Sequence, residues 1–473
     1  MTGSVVRDPL CGISVLISGS GICGLMTALE CWRKGCTVRI LERAKTEQTQ
    51  GDSFMIGPSA LNAFRNWPEL EEREREVAYK PMISFYNHRG ERLAGPFNTS
   101  NVVSKNWQHL GDEDSPITRQ SRPKFHSILL EQLRKIGIEV EYDNGVVDYF
   151  EDAPNQVGGV VLEDGSKHTA NVVVAADGVR SKSWSLVAGH PVPAKSSGNG
   201  IFRVAYPVEL ALADPMIAER FRLYEDGRSS TELWVGPGLQ AFFWRSEDEM
   251  SWAITHPDWG SAEESWGNKV HPDEVLKFTA TIDGWPEVAD RVIRATPTDS
   301  LVDWKLMWRD PQPTWTSPGG HVVQLGDAAH TFLPSSANGG TQAMEDAISL
   351  AACIALGGKT NIPDATRVHN LLRFERVSCL QAWGIANADD RDTNRHKQEE
   401  NKFTLTIGKW ILDHDPEQYA KEKYAEALAH LKEGKSFQNT NTPPGMVYRP
   451  WTIDGLIAAR ERGEPTVLGG DWS

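Results

Sequence analysis

The chain has 473 residues, enough for two or three domains with cores of their own, and its hydrophobic content of 40% and charged content of 24% are those of a soluble globular protein. Its net charge of -15 argues against nucleic acid or an anionic membrane surface as a partner. The six cysteines form no CxxC pair and no Cys/His spacing suited to zinc, so no metal is expected and the thiols read as reduced, in a cytoplasmic setting. No apolar run approaches the roughly 18 residues of a membrane span, and the opening MTGSVVRDPLCG is too polar for a secretory signal.

The first informative stretch runs from Ile13 to Ala44. Val15, Leu16 and Ile17 predict a strand buried on both faces. Gly19, Gly21 and Gly24 then spell GxGxxG. The first glycine permits a tight turn, the second lets backbone approach a pyrophosphate, and the third lets a helix pack close to the strand. A helix over 22–34 ends at Gly35, and CTVRILE returns as a strand that closes on Glu42, an acid placed to accept from a ribose diol. Glu42 disfavours a ribose phosphate, so the site suits FAD or NAD better than NADP. Arg43 beside it complicates that preference, and spacing alone does not choose between FAD and NAD.

Farther along, LEEREREV at 70–77 is a charge run expected on a solvated helix face. Residues 81–118 hold a hairpin with its turn at His88-Arg89-Gly90. In 119–184, Arg122 opens the helical stretch RPKFHSILLEQL, and Val172 to Ala175 form a buried strand that ends on Asp177-Gly178. Residues 185–310 alternate short apolar strands with turns and read as an antiparallel sheet carrying Arg203 and the run Phe242-Phe243-Trp244. In 311–357, Val322 to Leu325 form a strand, and Gly326-Asp327 turn the chain. The loop Pro334 to Gly340 then leads into a helix with Ala343, Ala347, Leu350 and Ala351 on one face. An acid at a strand end followed by a helix N-terminus suits a ribityl chain and a pyrophosphate. Helices fill 343–434, and the rest of the tail over 435–473 is rich in Pro, Gly and Asn and loop-like. Its role is open between covering the core and mediating contacts of a homodimer.

GxGxxG, the DG motif at Asp177 and the GD motif at Asp327, in this order, resemble the flavoprotein aromatic monooxygenases of the p-hydroxybenzoate hydroxylase fold, over about residues 13–390. The loop FLPSSANGGTQAMEDAISLA is similar to that of fungal members, many of which act in secondary metabolism. The resemblance implies an α/β fold. A Rossmann-like FAD-binding domain is built from 11–80, 119–184 and 311–357, with an inserted antiparallel β-sheet substrate domain (81–118 and 185–310) and a helical C-terminal region over 358–434. It implies FAD as cofactor and NADPH or NADH as co-substrate. Gly19, Gly21, Gly24, Glu42 and Arg43 would meet the ADP half, and Arg122 the flavin side. Asp177 would serve both FAD and nicotinamide, Gly326 and Asp327 the ribityl and pyrophosphate region, and Pro334, Gly339 and Gly340 the ring. GDSFMIGP at 51–58 would pass over the flavin. Two departures stand out. Trp184 occupies the position where the DG motif of the family carries an arginine, leaving Arg180 or Lys182 to replace it, and the GD loop reads Ala337-Asn338-Gly339-Gly340-Thr341 in place of GQGxN.

The implied chemistry is insertion of one oxygen atom from O2 into an electron-rich small aromatic or indole substrate, through a flavin C4a-hydroperoxide kept from water. Arg122 and Arg203 are the catalytic candidates, Arg203 by pairing with a phenolate. Arg203, Phe243 and Trp244 are the substrate-binding candidates, and His330 reads as structural. Arg203 leans toward phenol hydroxylation, and the Phe-Phe-Trp set toward indole epoxidation with rearrangement. A halogenase is disfavoured by the absence of WxWxIP. A non-catalytic flavin-binding protein is the remaining class, supported only by the altered DG motif.

Overall fold

The apolar run of the opening segment forms the strand Ser14–Ser18, at the centre of a five-stranded sheet, in the computed structural model, which describes residues 5–47, 50–98, 117–392, 408–464 and 469–472. Residues 99–116 of the expected hairpin region and 393–407 of the expected helical region lie outside the described residues. The sheet order is Val322–Gln324, Val172–Ala175, Ser14–Ser18, Thr37–Leu41, Val140–Glu141, with every pairing parallel. All carboxyl ends therefore open on one edge, where the loops of such a sheet gather a ligand.

One face of the sheet is covered by the helices Ile22–Arg33, Arg122–Lys135 and Gly339–Gly357, whose Leu25, Met26, Leu29, Phe125, Leu129 and Met344 close over Val15 and Ile17. The other face packs Leu16 and Val173 against Tyr149 and Val160 of an antiparallel three-stranded sheet, Val146–Asp152, Val157–Leu162 and Lys167–Ala170. This meander inside 119–184 has no counterpart in the sequence reading. Its strands are short, and Gly158 and Gly159 dilute their alternation.

The substrate-side sheet has seven strands, in the order Val302–Trp308, Lys195–Pro207, Glu249–Pro257, Leu239–Arg245, Ser229–Gly236, Pro81–Asn87, Arg92–Asn98. The expected hairpin joins its edge, and the pairing of Pro81–Asn87 with Ser229–Gly236 is parallel, the one exception to the expected antiparallel order in this sheet. Phe202, Val204, Tyr206, Trp234, Phe243 and Trp252 point to one face, into a core roofed by the helices Pro272–Thr279 and Glu287–Arg294. Their neighbours along the strands point back toward the FAD-type domain, as period-two side chains must. A small sheet of Ser53–Ile56, Thr118–Ser121 and Ala78–Tyr79 bridges the two halves.

The charge run forms the helix Pro68–Val77, solvated except at Leu70 and Glu74, which are buried. Glu74 is a correction to the solvated reading, because it accepts a hydrogen bond from Gln120 of the bridging sheet. In the tail, Ile453–Glu461 is a helix where the sequence reads as loop. The tail returns to the body: Trp451 Nε1 donates to Ser378 at 3.0 Å, the Ile453 amide donates to Asp310 at 2.7 Å, and Lys195 pairs with Asp454 at 2.8 Å. Among the described residues no helix is long and apolar enough to cross a membrane.

Two buried ionic clusters tie remote segments together. In the larger, Arg373 and Arg376 of the helix Ile362–Asp392 meet Glu345 and Asp346 of Gly339–Gly357, and Arg376 also donates to the carbonyls of Trp410, Ile411 and Asn441. In the smaller, Glu417 of the helix Pro416–Glu433 accepts from Arg33 and, at 2.7 Å, from Lys34 at the end of the first helix. Burial alone would raise the Glu417 carboxyl. Hydrogen bonds from Lys34 and Lys421 and the charge of Arg33 outweigh it and bring the pKa to about 2 from an ordinary 4.5. A carboxyl depressed on folding stabilises the native state above its unfolded pKa and loses that contribution as pH falls through its folded one. The urea midpoint should therefore drop between about pH 4.5 and about pH 2, and Glu417→Gln should flatten that drop. An unaltered slope in the variant would contradict the assignment.

Candidate active site

The three glycines of the first turn meet three different surroundings. A Cβ on Gly19, whose φ is +101°, would lie 2.4 Å from the Ala176 carbonyl oxygen, so the turn presses on the neighbouring strand end. A Cβ on Gly24 would lie 2.0 Å from the Gly19 carbonyl oxygen, which fixes the helix against the turn. A Cβ on Gly21 would meet nothing within 4 Å. The amide end of the first helix thus faces open space, the cradle a diphosphate needs. Glu42 closes its far side. It is half-buried, accepts from the Ser20 amide (2.9 Å) and hydroxyl (3.0 Å) and from the Ala44 amide (2.9 Å), and so holds the acid at the strand end in a fixed pose. Arg43 is exposed beside it and also borders the cavity.

That space is one end of a single cavity of about 1270 Å³ running from Gly19 to the substrate-side sheet. It is larger than the ~300–1,000 Å³ usual for one small ligand, and so has room for a dinucleotide and a second molecule. Asp327 projects into it from the GD turn. Its carboxyl is raised by the surrounding protein, against the opposing pull of His330, Arg122 and Arg309, and it makes no side-chain hydrogen bond among the described residues. The turn is held from behind. The Gly326 amide donates to Asp346 at 3.0 Å, and His330 Nε2 pairs with the same oxygen at 2.6 Å. His330 is thus buried behind the turn, paired with Asp346. The loop Pro334 to Gly340 lines the middle of the cavity, with Ala337 at φ +50°, a conformation uncommon for a residue with a side chain. Gly340 sits where a Cβ would touch Phe54 at 3.2 Å.

Arg122 begins its helix and lines the same cavity. Its guanidinium has no hydrogen bond or ion pair among the described residues; burial lowers its pKa, and Arg203 lowers it further. Asp177 lines the cavity with Oδ2 accepting from Tyr149 at 2.7 Å, and its other oxygen is buried without a partner. An open diphosphate cradle, a strand-end acid, an unpaired arginine and a cavity-facing aspartate together fit an FAD.

A different arginine reaches Trp184, the residue at the motif's arginine position. Arg180 and Lys182, the sequence candidates, are both exposed, and Arg180 reaches Glu264 at 3.4 Å. Arg309, at the end of the strand Val302–Trp308, instead lays its guanidinium 5.0 Å over the Trp184 ring and donates to the Val179 carbonyl at 2.7 Å. Burial lowers its pKa to about 10. No local pattern could identify it, because the pairing spans the whole substrate-side insertion.

At the far end of the cavity, Arg203 lies in the wall, but its charge is already met within the chain. It forms a two-pronged pair with Asp52, Nε to Oδ2 at 2.9 Å and Nη2 to Oδ1, and sits 5.1 Å over the Trp266 ring. Phe243 does not reach the cavity. Its ring is fully buried against Phe221, Trp234 and Trp285 in the core of the substrate-side sheet. The alternation of the strand puts Phe242 in the wall instead, one residue away from the sequence assignment. Trp244 shares the face of Phe242 but lies behind it, edge-on to Tyr79. Among the described residues no His, Cys, Asp and Glu cluster is arranged to hold a metal ion.

Comparison with known proteins agrees with this geometry. A family profile described as FAD binding domain matches residues 12–360. A FAD-dependent monooxygenase of Cryptosporiopsis sp., dmxR9, is 43% identical over 99% of this chain and 91% of its own length. Another of Gibberella fujikuroi, fsr3, is 41% identical with the same coverage. The crystal structure of FqzB superposes with a TM-score of 0.81 over 93% of this chain and 99% of its own, at 27% identity. That of CtdE in complex with FAD gives 0.73 over 88% and 99%, at 26% identity.

The glycine surroundings separate fold from cofactor. Gly24→Ala should destabilise the protein with or without FAD, whereas Gly21→Val should leave the melting temperature of the FAD-free protein unchanged and lower its FAD occupancy. Equal loss of stability in both FAD-free variants would contradict the cradle.

Proposed function

This chain belongs to the FAD binding domain family of FAD-dependent monooxygenases, and from that membership we propose that it hydroxylates a phenolic ring with NAD(P)H as reductant, in the assembly of a fungal secondary metabolite. FAD, when bound, supplies an electrophilic oxygen derived from O2. The residues of this chain have to hold an electron-rich ring near it and keep water away.

The observation that carries the reading is the charge balance of the chamber. Three guanidiniums, of Arg119, Arg122 and Arg203, line it, and the nearby carboxylates leave two of them without a bonded partner: Asp52 is consumed by Arg203, Glu264 pairs with Arg180, and Asp327 faces Arg122 without a hydrogen bond to it. An environment with excess positive charge favours the ionised form of a phenol, which is the form that donates electrons to an oxygen electrophile. A neutral indole makes no use of that charge, and the aromatic set that pointed toward one is reduced to Phe242. The walls are otherwise apolar, with Trp266, Trp304, Trp383, Ile411 and Leu412 contributed by separate segments, and Leu456 of the returning tail lies along the rim. These surfaces exclude water from the reacting ring. Arg203 acts here through Asp52 and Trp266, fixing the segment after Gly51 against the substrate-side sheet. Arg122, free of any protein acceptor among the described residues, is the cation available to charge that develops on the oxygen-transfer side.

The direct test is NADPH and NADH oxidation by the FAD-loaded protein over paired panels of phenols and prenylated indoles, with product masses. Stimulation by phenols with products one oxygen atom heavier is expected. Stimulation by indoles alone would overturn the substrate class, and flavin that neither nucleotide reduces in the presence of any panel member would overturn the reductase step. Arg122→Met should retain FAD and nucleotide oxidation while at least about tenfold less of the consumed nucleotide appears as product. Unchanged coupling would remove Arg122 from the site.

A further inference from the structure

Arg119 was not singled out by sequence, and among the described residues no carboxylate pairs with it. It lies on Thr118–Ser121 of the bridging sheet and is 6% exposed. Nη1 donates to the Ser53 hydroxyl at 2.8 Å. Nε is fully buried with no partner, and Nη2 has none among the described residues. The face of the guanidinium rests 4.3 Å from the centre of the Phe242 ring, which holds it flat against the cavity wall. Burial pulls its pKa down to about 9, with Asp52 the carboxylate that opposes the shift. Both oxygens of Asp52 are already spent on Arg203.

A buried cation without a counter-ion is costly unless something supplies one. Natural chains keep such a group where a ligand completes it. Here Nε is sealed and Nη1 is occupied, so Nη2 is the guanidinium nitrogen left to the cavity. One free nitrogen suits a single anionic oxygen. A carboxylate, which guanidinium grips through two parallel N–H groups, would find the Nε–H of the side-on pair sealed and Nη1 already turned to Ser53.

We propose that Arg119, rather than Arg203, holds the ionised hydroxyl of the substrate, and that it selects phenolates over phenyl ethers and over carboxylates. The proposal rests on the phenol reading above. It assigns to the strand Thr118–Ser121 the recognition that sequence comparison places on the strand Lys195–Pro207. Phe242 serves as the plate that orients the guanidinium, and Ser53 as the hydroxyl that fixes its rotation.

The test uses the FAD-loaded full chain and three probes: 4-nitrophenol, its methyl ether 4-nitroanisole, and 4-nitrobenzoate. Binding is read by perturbation of the flavin spectrum, and ionisation of bound nitrophenol by its own absorbance. The wild type should bind nitrophenol as the phenolate, at least about tenfold tighter than either other probe. Arg119→Gln should erase that preference while nitroanisole binding and FAD occupancy stay as they were, and Arg119→Lys should restore part of it. Arg203→Gln should keep the preference. A preference that survives in Arg119→Gln, a preference lost only in Arg203→Gln, tighter binding of nitrobenzoate, or no preference in the wild type would each overturn the proposal. Should Arg119→Gln fail to load FAD, the lysine variant decides: a nitrophenolate preference no weaker than that of the wild type would show that the guanidinium is dispensable and overturn the proposal. Oxygen insertion is scored separately. Products one oxygen atom heavier from a protein indifferent to Arg119 would leave the monooxygenase reading intact and remove this inference, and an Arg119-dependent preference without any oxygenated product would do the reverse.

Discussion

Asp346 holds the site together. One of its oxygens accepts from the Gly326 amide and from His330, and the other from Arg373. Through it the GD turn, the helix Gly339–Gly357 and the helix Ile362–Asp392 are fixed to one another. Glu345 beside it takes Arg373 and Arg376 of that long helix and the Ser59 hydroxyl, and Arg376 carries the link on to the carbonyls after Gly408. Burial would raise both carboxyls, and Arg376 with Arg373 holds Glu345, and His330 with Arg373 holds Asp346, far below the usual carboxylate range. Taking one member out of such a network leaves an uncompensated buried charge, a loss of about 3–5 kcal/mol. The cavity-facing Asp327 lies one residue after the clamped Gly326, so the placement of the cofactor side of the cavity depends on charges that never touch it.

The same logic runs in the opposite direction inside the chamber. There the cations outnumber the carboxylates, and the imbalance is sustained because each cation is set on a regular element: a bridging sheet for Arg119, a helix start for Arg122 and an inner strand for Arg203. Rigid placement of unsatisfied charge is how a protein stores affinity for a ligand it does not yet hold. The substrate-side sheet supplies the other half by alternation, with one face filling a conventional core and the other presenting Phe242, Arg203 and apolar neighbours to the cavity.

Much of this was legible in the chain. The three glycines, Glu42, the strand before Asp177 and the turn at Asp327 follow from local stereochemistry, and each glycine meets the surroundings its place in the motif requires. The substrate-side strands were legible from alternation, but the face of the strand Leu239–Arg245 was not. Three aromatic residues in a row carry no phase, and a shift of one residue separates Phe242 in the wall from Phe243 in the core. Arg309 over Trp184 and Asp52 against Arg203 were hidden for a different reason. Each pairs residues far apart in the chain, and a lone arginine on a strand looks the same whether it is neutralised, stacked or free. Glu345 and Asp346 are the only charged residues of their helix, where such a pair reads as surface until partners as distant as Arg373 and Arg376 are brought to it.

FAD at the first helix and an anion-seeking chamber beyond it are proposed to share one continuous cavity. A crystal structure of the FAD-loaded protein with 4-nitrophenolate tests both parts at once. The diphosphate is expected at the amide end of the helix Ile22–Arg33 beside Gly21, the flavin ring along the loop Pro334 to Gly340, and the phenolate oxygen within hydrogen-bond reach of Arg119. A diphosphate bound elsewhere, or a phenolate that displaces Asp52 to pair with Arg203 while Arg119 stays unliganded, would contradict that arrangement.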